Sequence, residues 1–205
     1  MRFCFILLAG GNSSRFKSNI PKQYNKIAGK TLIDISINKI RTFKEITKIV
    51  LVYNKEHKKY LKKINLKNIS LIIGGKTRDE STLKALSYLK KQNVRGKVLI
   101  HDAARPNFSK KLIKNIIINS HLNKVVVPIL KIQDALKEKR NKNKILNIER
   151  NNFFLTQTPQ SFNLNEIFHL HKKKKLEYKD DDLSLIDTSL GIKFINGEKK
   201  NFKIT

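Results

Sequence analysis

Residues Phe3–Tyr24 read FCFILLAGGNSSRFKSNIPKQY, and the interpretation of the whole chain depends on this stretch. Its first seven residues, Phe3–Ala9, are apolar and rich in aromatic and branched side chains, which predicts a buried parallel strand. The strand ends at Gly10–Gly11, where backbone amides can approach a ligand closely. Arg15 and Lys22 follow on the same connection. Amides, a planar guanidinium and a compact ammonium group together are suited to binding a polyphosphate.

Two other interpretations of this stretch compete with ligand binding. An arginine, Arg2, before an apolar run is a feature of secretory signals. The run is short, however, and it leads directly into polar and basic residues without an A-x-A-like cleavage site. The second alternative is a plain strand and loop of an α/β sheet that binds no ligand.

Composition predicts a globular chain with one α/β domain over residues 1–205. Hydrophobic residues make up 40% of the chain, which is enough to bury a core. No apolar run approaches the roughly 20 residues that a membrane-spanning helix needs. The single cysteine, Cys4, is expected to be a packed core thiol, which favours the reducing cytoplasm.

The charge balance is strongly basic, with 44 Lys and Arg against 16 Asp and Glu, a formal net charge of +28. Such a field attracts anions, including nucleotides, nucleic acid and acidic lipid. The lysines are scattered, as a compositional bias of the genome would also produce, and the one dense block, Lys172–Lys175, fits a solvated helix face. A nucleic-acid-binding module predicts clustered cations with interleaved aromatic residues. We therefore expect no specific nucleic-acid partner and no membrane partner.

Strands and helices are predicted to alternate along the chain. The predicted strands after the first are Ile46–Tyr53, Ile69–Ile73, Lys97–His101, Lys124–Pro128, Ile192–Ile195 and Phe202–Ile204. The predicted helices are Thr31–Phe43, Lys55–Ile64, Arg78–Gln92, Ser109–Asn119 and Asn163–Lys175, with a further short helix after the acidic cluster. This alternation predicts a Rossmann-like, mainly parallel sheet with helices on both faces. Ligands in such sheets bind beyond the carboxyl ends of the strands, here at Gly10–Gly11, Gly74–Gly75 and Asp102.

Residues Lys131–Asn152 break the alternation, because they are polar and charge-rich without a clear core face. A long excursion of this kind inside a compact domain is usually functional or an interaction arm.

Seven segments follow one another along the chain: AGGNSSRF…PKQY, GGKTRDES, HDAARP, QDALK, ERNNFFLTQTPQSF, DDDLS and NFKIT. In this combination, from Ala9 to Thr205, they resemble the 2-C-methyl-D-erythritol 4-phosphate cytidylyltransferases of isoprenoid synthesis. The resemblance implies transfer of a cytidylyl group from CTP to methylerythritol 4-phosphate, with release of pyrophosphate and with Mg²⁺ as cofactor. The sequence shows no obvious Ser–His or Cys–His arrangement, which fits direct attack of one phosphate on another.

The resemblance also implies roles for individual residues. Arg15 and Lys22 would be catalytic and would stabilise the charge that accumulates on the α-phosphate. The implied nucleotide-binding residues are Ala9, Gly10, Gly11, Gly74, Gly75, Arg78, Ser81, Asp102 and Ala103. Within that set, Asp102 would lie near the ribose and is the candidate ligand for Mg²⁺.

For the acceptor, the resemblance points to the last third of the chain. Arg150 and Thr158 would hold the methylerythritol phosphate, and Lys203 would contact phosphates. The excursion Lys131–Asn152 would be a dimerisation arm that carries Arg150 to the other subunit's site in a homodimer.

Each candidate also has an ordinary structural interpretation. Lys22 could be a loop lysine in a basic chain, and Ser81 could cap a helix. Asp102 could be an ion-pair partner of Arg105. We expect His101 to be a core or supporting residue, because no other His or Cys lies at metal-ligand spacing.

The chain departs from the family pattern at Ser13, in place of a loop glycine, and at Ala135 and Asp180, in place of threonines associated with the acceptor. These departures leave open a cytidylyltransferase for another polyol phosphate, such as ribitol 5-phosphate, or an inactive homologue. The family usually continues with a helix after Lys203. A fragment, a missing helix, and the first half of a bifunctional enzyme with a cyclodiphosphate synthase domain therefore all remain open.

Overall fold

A computed structural model describes residues 1–12, 18, 20–141, 144–173, 181–187 and 191–204. The strands are β1 Phe3–Ala9, β2 Lys26–Ile27, β3 Lys30–Thr31, β4 Ile46–Tyr53, β5 Ile69–Ile73, β6 Lys97–Asp102, β7 Val125–Lys131, β8 Leu136–Asn141, β9 Lys144–Ile148, β10 Phe154–Thr156, β11 Gln160–Asn163 and β12 Ile192–Asn196. The α-helices are α1 Leu32–Ile40, α2 Lys58–Leu61, α3 Arg78–Lys91, α4 Lys110–Ser120 and α5 Leu164–Lys173. Short 3₁₀ turns cover Lys22–Tyr24, Lys55–His57, Arg150–Asn152 and Asp182–Leu185.

The first strand lies at the centre of the main sheet. It pairs in parallel with β4 on one side and with β6 on the other. The strand order is β10-β7-β11-β6-β1-β4-β5, and β12 pairs in parallel with β7. Strands β10 and β11 run antiparallel to their neighbours, so the sheet is mixed but mostly parallel. Because β1 is buried on both faces, its sequence is apolar at every position.

Helices cover both faces of this sheet, as the alternating pattern predicts. Helices α1 and α4 pack with one side of β1 in a core that contains Phe5, while α3 and α5 pack with the other side, which contains Ile6. Helix α1 begins after Thr31, whose side chain forms a capping box with Asp34. Helix α3 begins after Thr77, whose hydroxyl accepts from the Glu80 amide at 3.1 Å. These caps fix where the helices start, and α3 starts at the carboxyl edge of the sheet.

The predicted strands β1, β4 and β5 are confirmed residue for residue, and most other elements agree within a few positions. Lys55–Ile64 is not one continuous helix but a 3₁₀ turn followed by the single turn of α2. Phe202–Ile204 is not a strand, since this segment is held to the neighbouring loop by the Ile204 amide, which donates to the Ala104 carbonyl at 2.9 Å. The last two residues of the helix predicted over Asn163–Lys175 lie outside the described residues.

The excursion Lys131–Asn152 contains a hairpin of its own. Strands β8 and β9 pair antiparallel with each other, and the described residues form no ladder between this hairpin and the main sheet. Neither strand is buried against helices, which explains why the sequence of this excursion has no core face. No helix in the described ranges is long and apolar enough to cross a bilayer.

Candidate active site

A cleft of about 790 Å³ opens at the carboxyl ends of β1, β4, β5 and β6, within the size range of small-molecule sites. The predicted residues that line it are Ala9, Gly10, Gly11, Lys22, Gly74, Gly75, Arg78, Ser81, Asp102, Ala103 and Lys203. Arg15 lies outside the described residues, as do Ser13 and Asp180. The structure therefore brings together residues from the two ends of the chain and from three strand ends.

The turn after β1 is fixed by a buried glutamine. Gln23 is 3% exposed, and its side-chain amide donates to the carbonyls of Ala9 at 2.8 Å and Gly11 at 2.9 Å. These bonds determine the path of the backbone past the end of the strand. Gln23 lies within the PKQY segment quoted above, but its sequence alone gives no sign that it faces inward to Ala9.

One part of the lining, which we call the neutral wall, consists of Gly74, Gly75 and Ser81. The Gly75 amide donates to the Ser81 hydroxyl at 3.0 Å, and the hydroxyl can still donate its own proton into the cleft. A side chain at Gly75 would collide with the Cβ atom of Glu80, which shows that the backbone of Gly75 lies close to the first turn of α3. Ser81 is not the helix cap, because Thr77 occupies that position.

A second part of the lining, the charged wall, consists of Lys22, Asp102 and Lys203. The Lys22 ammonium group donates to the carbonyl of Ile204 at 2.6 Å. The Lys203 ammonium group lies 2.8 Å from Oδ2 of Asp102. Two lysines that are far apart in the sequence thus reach the same cleft, with one carboxylate beside them.

Asp102 is held as a carboxylate by its neighbours. Its Oδ1 lies 3.2 Å from Nε of Arg78, while Oδ2 faces Lys203. Burial would raise the pKa of this carboxyl, but the charges of Arg78 and Lys203 outweigh burial and hold the pKa well below its usual range. The alternative pairing with Arg105 is not formed, since that guanidinium donates to the carbonyl of Asn201 at 2.9 Å.

Beneath Asp102 lies a buried pair of polar side chains. The Thr158 hydroxyl accepts from the Asp102 amide at 3.1 Å and lies 2.9 Å from Nδ1 of His101. The other ring nitrogen of His101 lies 3.0 Å from the Arg105 carbonyl, which can only accept, so the proton belongs on Nε2. Burial lowers the pKa of His101 to about 3 and keeps the ring neutral. His101 is therefore a supporting core residue, as expected.

Thr158 is the predicted acceptor residue that lies next to the cleft without lining it. The residue is 4% exposed and does not line the cleft, and its hydroxyl is already engaged by Asp102 and His101. Thr158 thus supports the floor of the site beneath Asp102, and its role toward the acceptor stays a prediction.

Arg78 connects the cleft to the interior. Besides Asp102, its guanidinium contacts Asp182, with 2.8 Å between NH1 and Oδ2. Asp182 also lies 3.0 Å from Nε2 of His171, whose Nδ1 is 2.8 Å from Asp79. Burial would raise the pKa of Asp182, but Arg78 lowers it further than burial raises it. The contact between His171 and Asp182 is not signalled in the sequence, because the two residues meet only through the packing of α5.

Arg150 lies away from the cleft described above. It is exposed, and its guanidinium donates to the carbonyl of Gln133. Its proposed role in a neighbouring subunit stays a prediction.

The sequence model of the 2-C-methyl-D-erythritol 4-phosphate cytidylyltransferase family matches residues 3–205. The chain is 47% identical over 205 residues to a bifunctional enzyme IspD/IspF of Pelagibacter ubique, covering 100% of this chain and 55% of that protein. It is 37% identical over 209 residues to a 2-C-methyl-D-erythritol 4-phosphate cytidylyltransferase of Thermosipho melanesiensis, covering 98% of this chain and 91% of the relative. The chain thus spans about half the length of the bifunctional relatives that it matches.

Solved structures give the same result. The bifunctional IspDF of Campylobacter jejuni matches with a TM-score of 0.83 and 30% identity, over 100% of this chain and 52% of that one. The 2-C-methyl-D-erythritol 4-phosphate cytidylyltransferase of Francisella tularensis matches with a TM-score of 0.81 and 25% identity, over 100% of this chain and 94% of that one.

Proposed function

The chain belongs to the 2-C-methyl-D-erythritol 4-phosphate cytidylyltransferase family, and from this premise we propose that it transfers the cytidylyl group of CTP to 2-C-methyl-D-erythritol 4-phosphate and releases pyrophosphate. The reaction would serve isoprenoid precursor synthesis by the non-mevalonate pathway. The observation that carries the proposal is the meeting of Lys22, Lys203 and Asp102 in one cleft beside the glycine turn after β1.

In the proposed reaction, the charged wall binds the triphosphate. An oxygen of the acceptor's phosphate attacks the α-phosphorus of CTP, and the bond from that phosphorus to the β-phosphate oxygen breaks as pyrophosphate leaves. Lys22 and Lys203 lower the barrier to the extent that they bind more strongly as charge accumulates on the transferring group. Arg15 is proposed as a third cation of this site.

No step of this reaction needs a protein nucleophile. The one cysteine, Cys4, is buried inside β1, and burial raises the pKa of its thiol to about 11. A thiol of this kind is unreactive at neutral pH. Positioning and charge neutralisation of the two substrates are then the contributions required of the protein.

For the cytosine base we propose the neutral wall. Backbone amides and the Ser81 hydroxyl offer uncharged hydrogen-bond partners. Because Gly75 has no side chain, its backbone itself lines the cleft. A flat, polar surface of this kind suits a pyrimidine edge.

We propose Mg²⁺ as the cofactor and Asp102 as its protein ligand. Mg²⁺ usually keeps several waters and is bound by one or two carboxylates together with substrate phosphates. The described residues contain no group of three or more His, Cys, Asp or Glu suited to a metal, so an ion that arrives with the nucleotide fits this site better than one held by protein alone. The low pKa of Asp102 keeps its carboxylate ionised, as a metal ligand must be. When bound, the ion would neutralise phosphate charge as a Lewis acid.

We also propose a homodimer in which the arm Lys131–Asn152 contacts the partner. The hairpin of β8 and β9 is paired only with itself among the described residues, and an isolated two-stranded hairpin is marginally stable in water. Ile145 on this hairpin is 66% exposed, and Phe153 and Leu155, just after the arm, are 47% and 57% exposed. The cytoplasm is the proposed compartment because the Cys4 thiol is free; no nucleic-acid or membrane partner is proposed.

Shared sites in such a dimer can be tested by complementation. Arg150→Ala and Lys22→Ala proteins, each inactive alone, should recover part of the activity when mixed, because one hybrid site regains both residues. The mixture of each variant with itself is the control. Recovery no greater than in those controls would contradict a site shared between subunits.

The activity itself is tested by pyrophosphate release from CTP, ATP, GTP and UTP, each with methylerythritol 4-phosphate or ribitol 5-phosphate and Mg²⁺. We expect turnover with CTP and methylerythritol 4-phosphate, and its loss in Lys22→Ala. Turnover with ribitol 5-phosphate instead would assign the other acceptor, which Ala135 leaves open. No turnover with any pair would favour an inactive homologue, and tight, salt-sensitive RNA binding would then favour the nucleic-acid-binding alternative.

A further inference from the structure

A series of ionisable side chains in contact with one another runs from the cleft into the interior of the protein. Each neighbouring pair lies at 3.2 Å or less, in the order Lys203, Asp102, Arg78, Asp182, His171 and Asp79. The first two residues line the cleft, whereas the side chains of Asp182 and His171 are each 1% exposed. The cleft is thus connected to the last turn of α5 through these contacts.

The last four residues of this series form a closed ring of contacts, because the two ends of the ring are neighbours in the sequence. Arg78 and Asp79 are the first two residues of α3, and they contact Asp182 and His171, respectively. His171 and Asp182 are also in contact with each other, so together they hold both side chains at the start of α3. The same turn of α3 carries Ser81 of the neutral wall, and Arg78 faces Asp102 of the charged wall.

A histidine at this position has chemistry that other side chains lack. Each of its ring nitrogens lies within 3.0 Å of a carboxylate oxygen, and carboxylates only accept hydrogen bonds. The hydrogen bond of Nε2 to Oδ1 of Asp182 and the 2.8 Å contact of Nδ1 with Oδ1 of Asp79 let one ring bridge the two carboxylates. A glutamine of similar length would place a carbonyl against one of the carboxylates, and removing one partner from a buried ionic group leaves the remaining charge uncompensated.

We propose that His171 is a positioning residue for the nucleotide site. By holding Asp182 and Asp79 it fixes Arg78, and through Nε of Arg78 it fixes the orientation of the Asp102 carboxylate. It contacts no substrate itself. The identity of the ligand as CTP rests on the proposed function, whereas the fixing of the first turn of α3 rests only on the contacts described.

The test compares His171→Gln with His169→Gln, an exposed histidine two residues earlier on the same helix. In His171→Gln we expect the Kd and KM for CTP to rise about tenfold, the range found when residues that orient a binding carboxylate are removed. The KM for the acceptor should stay within about twofold of the wild-type value, because the contacts of His171 lead to Asp102 and not to the arm Lys131–Asn152. His169→Gln should match the wild type in both.

Hydrogen exchange provides a readout that requires no activity. In His171→Gln, protection of the amides of residues 78–82 should fall while that of Tyr88–Lys91 is retained. If this variant does not fold, Asp79→Asn tests the same series of contacts, because the side chain of Asp79 is 32% exposed and its replacement is easier to tolerate. Its effect on CTP binding should be about two- to threefold, as for a partly exposed ion pair.

Two results would overturn the inference. One is His171→Gln behaving as His169→Gln in CTP binding and in exchange at residues 78–82. The other is loss of protection throughout the protein with no change in the KM for CTP, which would indicate a purely structural residue. Wild-type protein that binds CTP but transfers nothing would refute the proposed reaction and leave this test intact. Wild-type protein that binds no CTP would refute the proposed function, and exchange at residues 78–82 would then decide the role of His171.

Discussion

The charged wall (Lys22, Asp102 and Lys203) and the neutral wall (Gly74, Gly75 and Ser81) line one cleft but are built differently. In the charged wall Asp102 pairs with Lys203 and with Arg78, and Lys22 donates to the Ile204 carbonyl. The neutral wall is mostly backbone fitted against α3. Charge acts over distance and tolerates small displacements, while a fit between backbone and helix depends on excluded volume. We therefore expect the proposed turnover to depend mainly on the charged wall, and local stability to depend mainly on the neutral wall.

The charged wall is broken most directly by Lys22→Ala. We expect kcat to fall on the order of 10²-fold or more, because the variant lacks a preorganised cation at the transferring phosphate. The KM for CTP should change much less if the ammonium group binds chiefly in the transition state. Steady-state kinetics measure both, with the exposed Lys26→Ala as the matched control. A loss confined to the KM would mean that Lys22 contributes uniform binding.

The neutral wall is broken by Gly75→Ala. The added methyl group collides with Glu80, so the start of α3 must shift, and unfolding free energy should fall by about 1–3 kcal/mol. Gly11→Ala is the matched control for stability, since nothing lies within 4 Å of a Cβ atom at that position. Urea denaturation compares the two. Equal stability of both variants would show that the turn before α3 can relax.

The buried histidine beneath Asp102, His101, should make the stability of the protein depend on pH. The pKa of His101 is about 3 in the folded protein against an ordinary value of 6.5, so the unfolded chain binds more protons between these values. Stability should therefore fall as pH drops from 6.5 towards 3, by up to about 1.4 kcal/mol per pH unit from this residue.

His101→Gln should flatten that part of the stability curve, because the variant has no proton to gain at this position. Urea denaturation at several pH values between 6.5 and 4.5 measures the slope, and the exposed His169→Gln should retain it. An unchanged slope in His101→Gln would mean that other groups dominate the acid response.

The smallest expected effect is that of Ser81→Ala. The Gly75 amide would lose its acceptor, which should cost about 1 kcal/mol of unfolding free energy. Thr82→Ala, whose hydroxyl bonds within the same helix turn at 3.1 Å, is the matched control. If Ser81 also contacts the base, only Ser81→Ala should weaken CTP binding in addition. Equal CTP affinity in both variants would restrict Ser81 to its bond with Gly75.

Sequence reasoning succeeded where a local pattern carries the information. The apolar runs of β1, β4 and β5 could be recognised as strands from the sequence, and β1 is apolar at every position because it is buried on both faces. Strand β11 has no such signal, since its Gln160 and Ser161 are polar yet buried. Gln160 donates to Asp181 at 2.6 Å, and Ser161 meets Ser120 at 2.8 Å. Their burial depends on partners that are distant in the sequence, which periodicity cannot reveal.

The same distinction applies to the candidate site. Lys22, Asp102 and Lys203 belong to short motifs, so their presence in one cleft could be predicted. The pairing of Arg78 with two carboxylates could not, because it requires the packing of α5 and of the turn at residues 182–185 against α3. Short motifs identify the side chains that face a ligand. The side chains that hold those residues in place become apparent only from tertiary contacts.

The bond from Lys22 to the carbonyl of Ile204 joins residues that are 182 positions apart in the chain. During synthesis the chain leaves the ribosome from its first residues onward. The loop after β1 must therefore wait for almost the entire described chain to leave the ribosome before its lysine finds this carbonyl. A chain that ended just after β12 would contain the strands of the main sheet but neither Lys203 nor Ile204, so the sheet and the cleft are completed by different parts of the sequence.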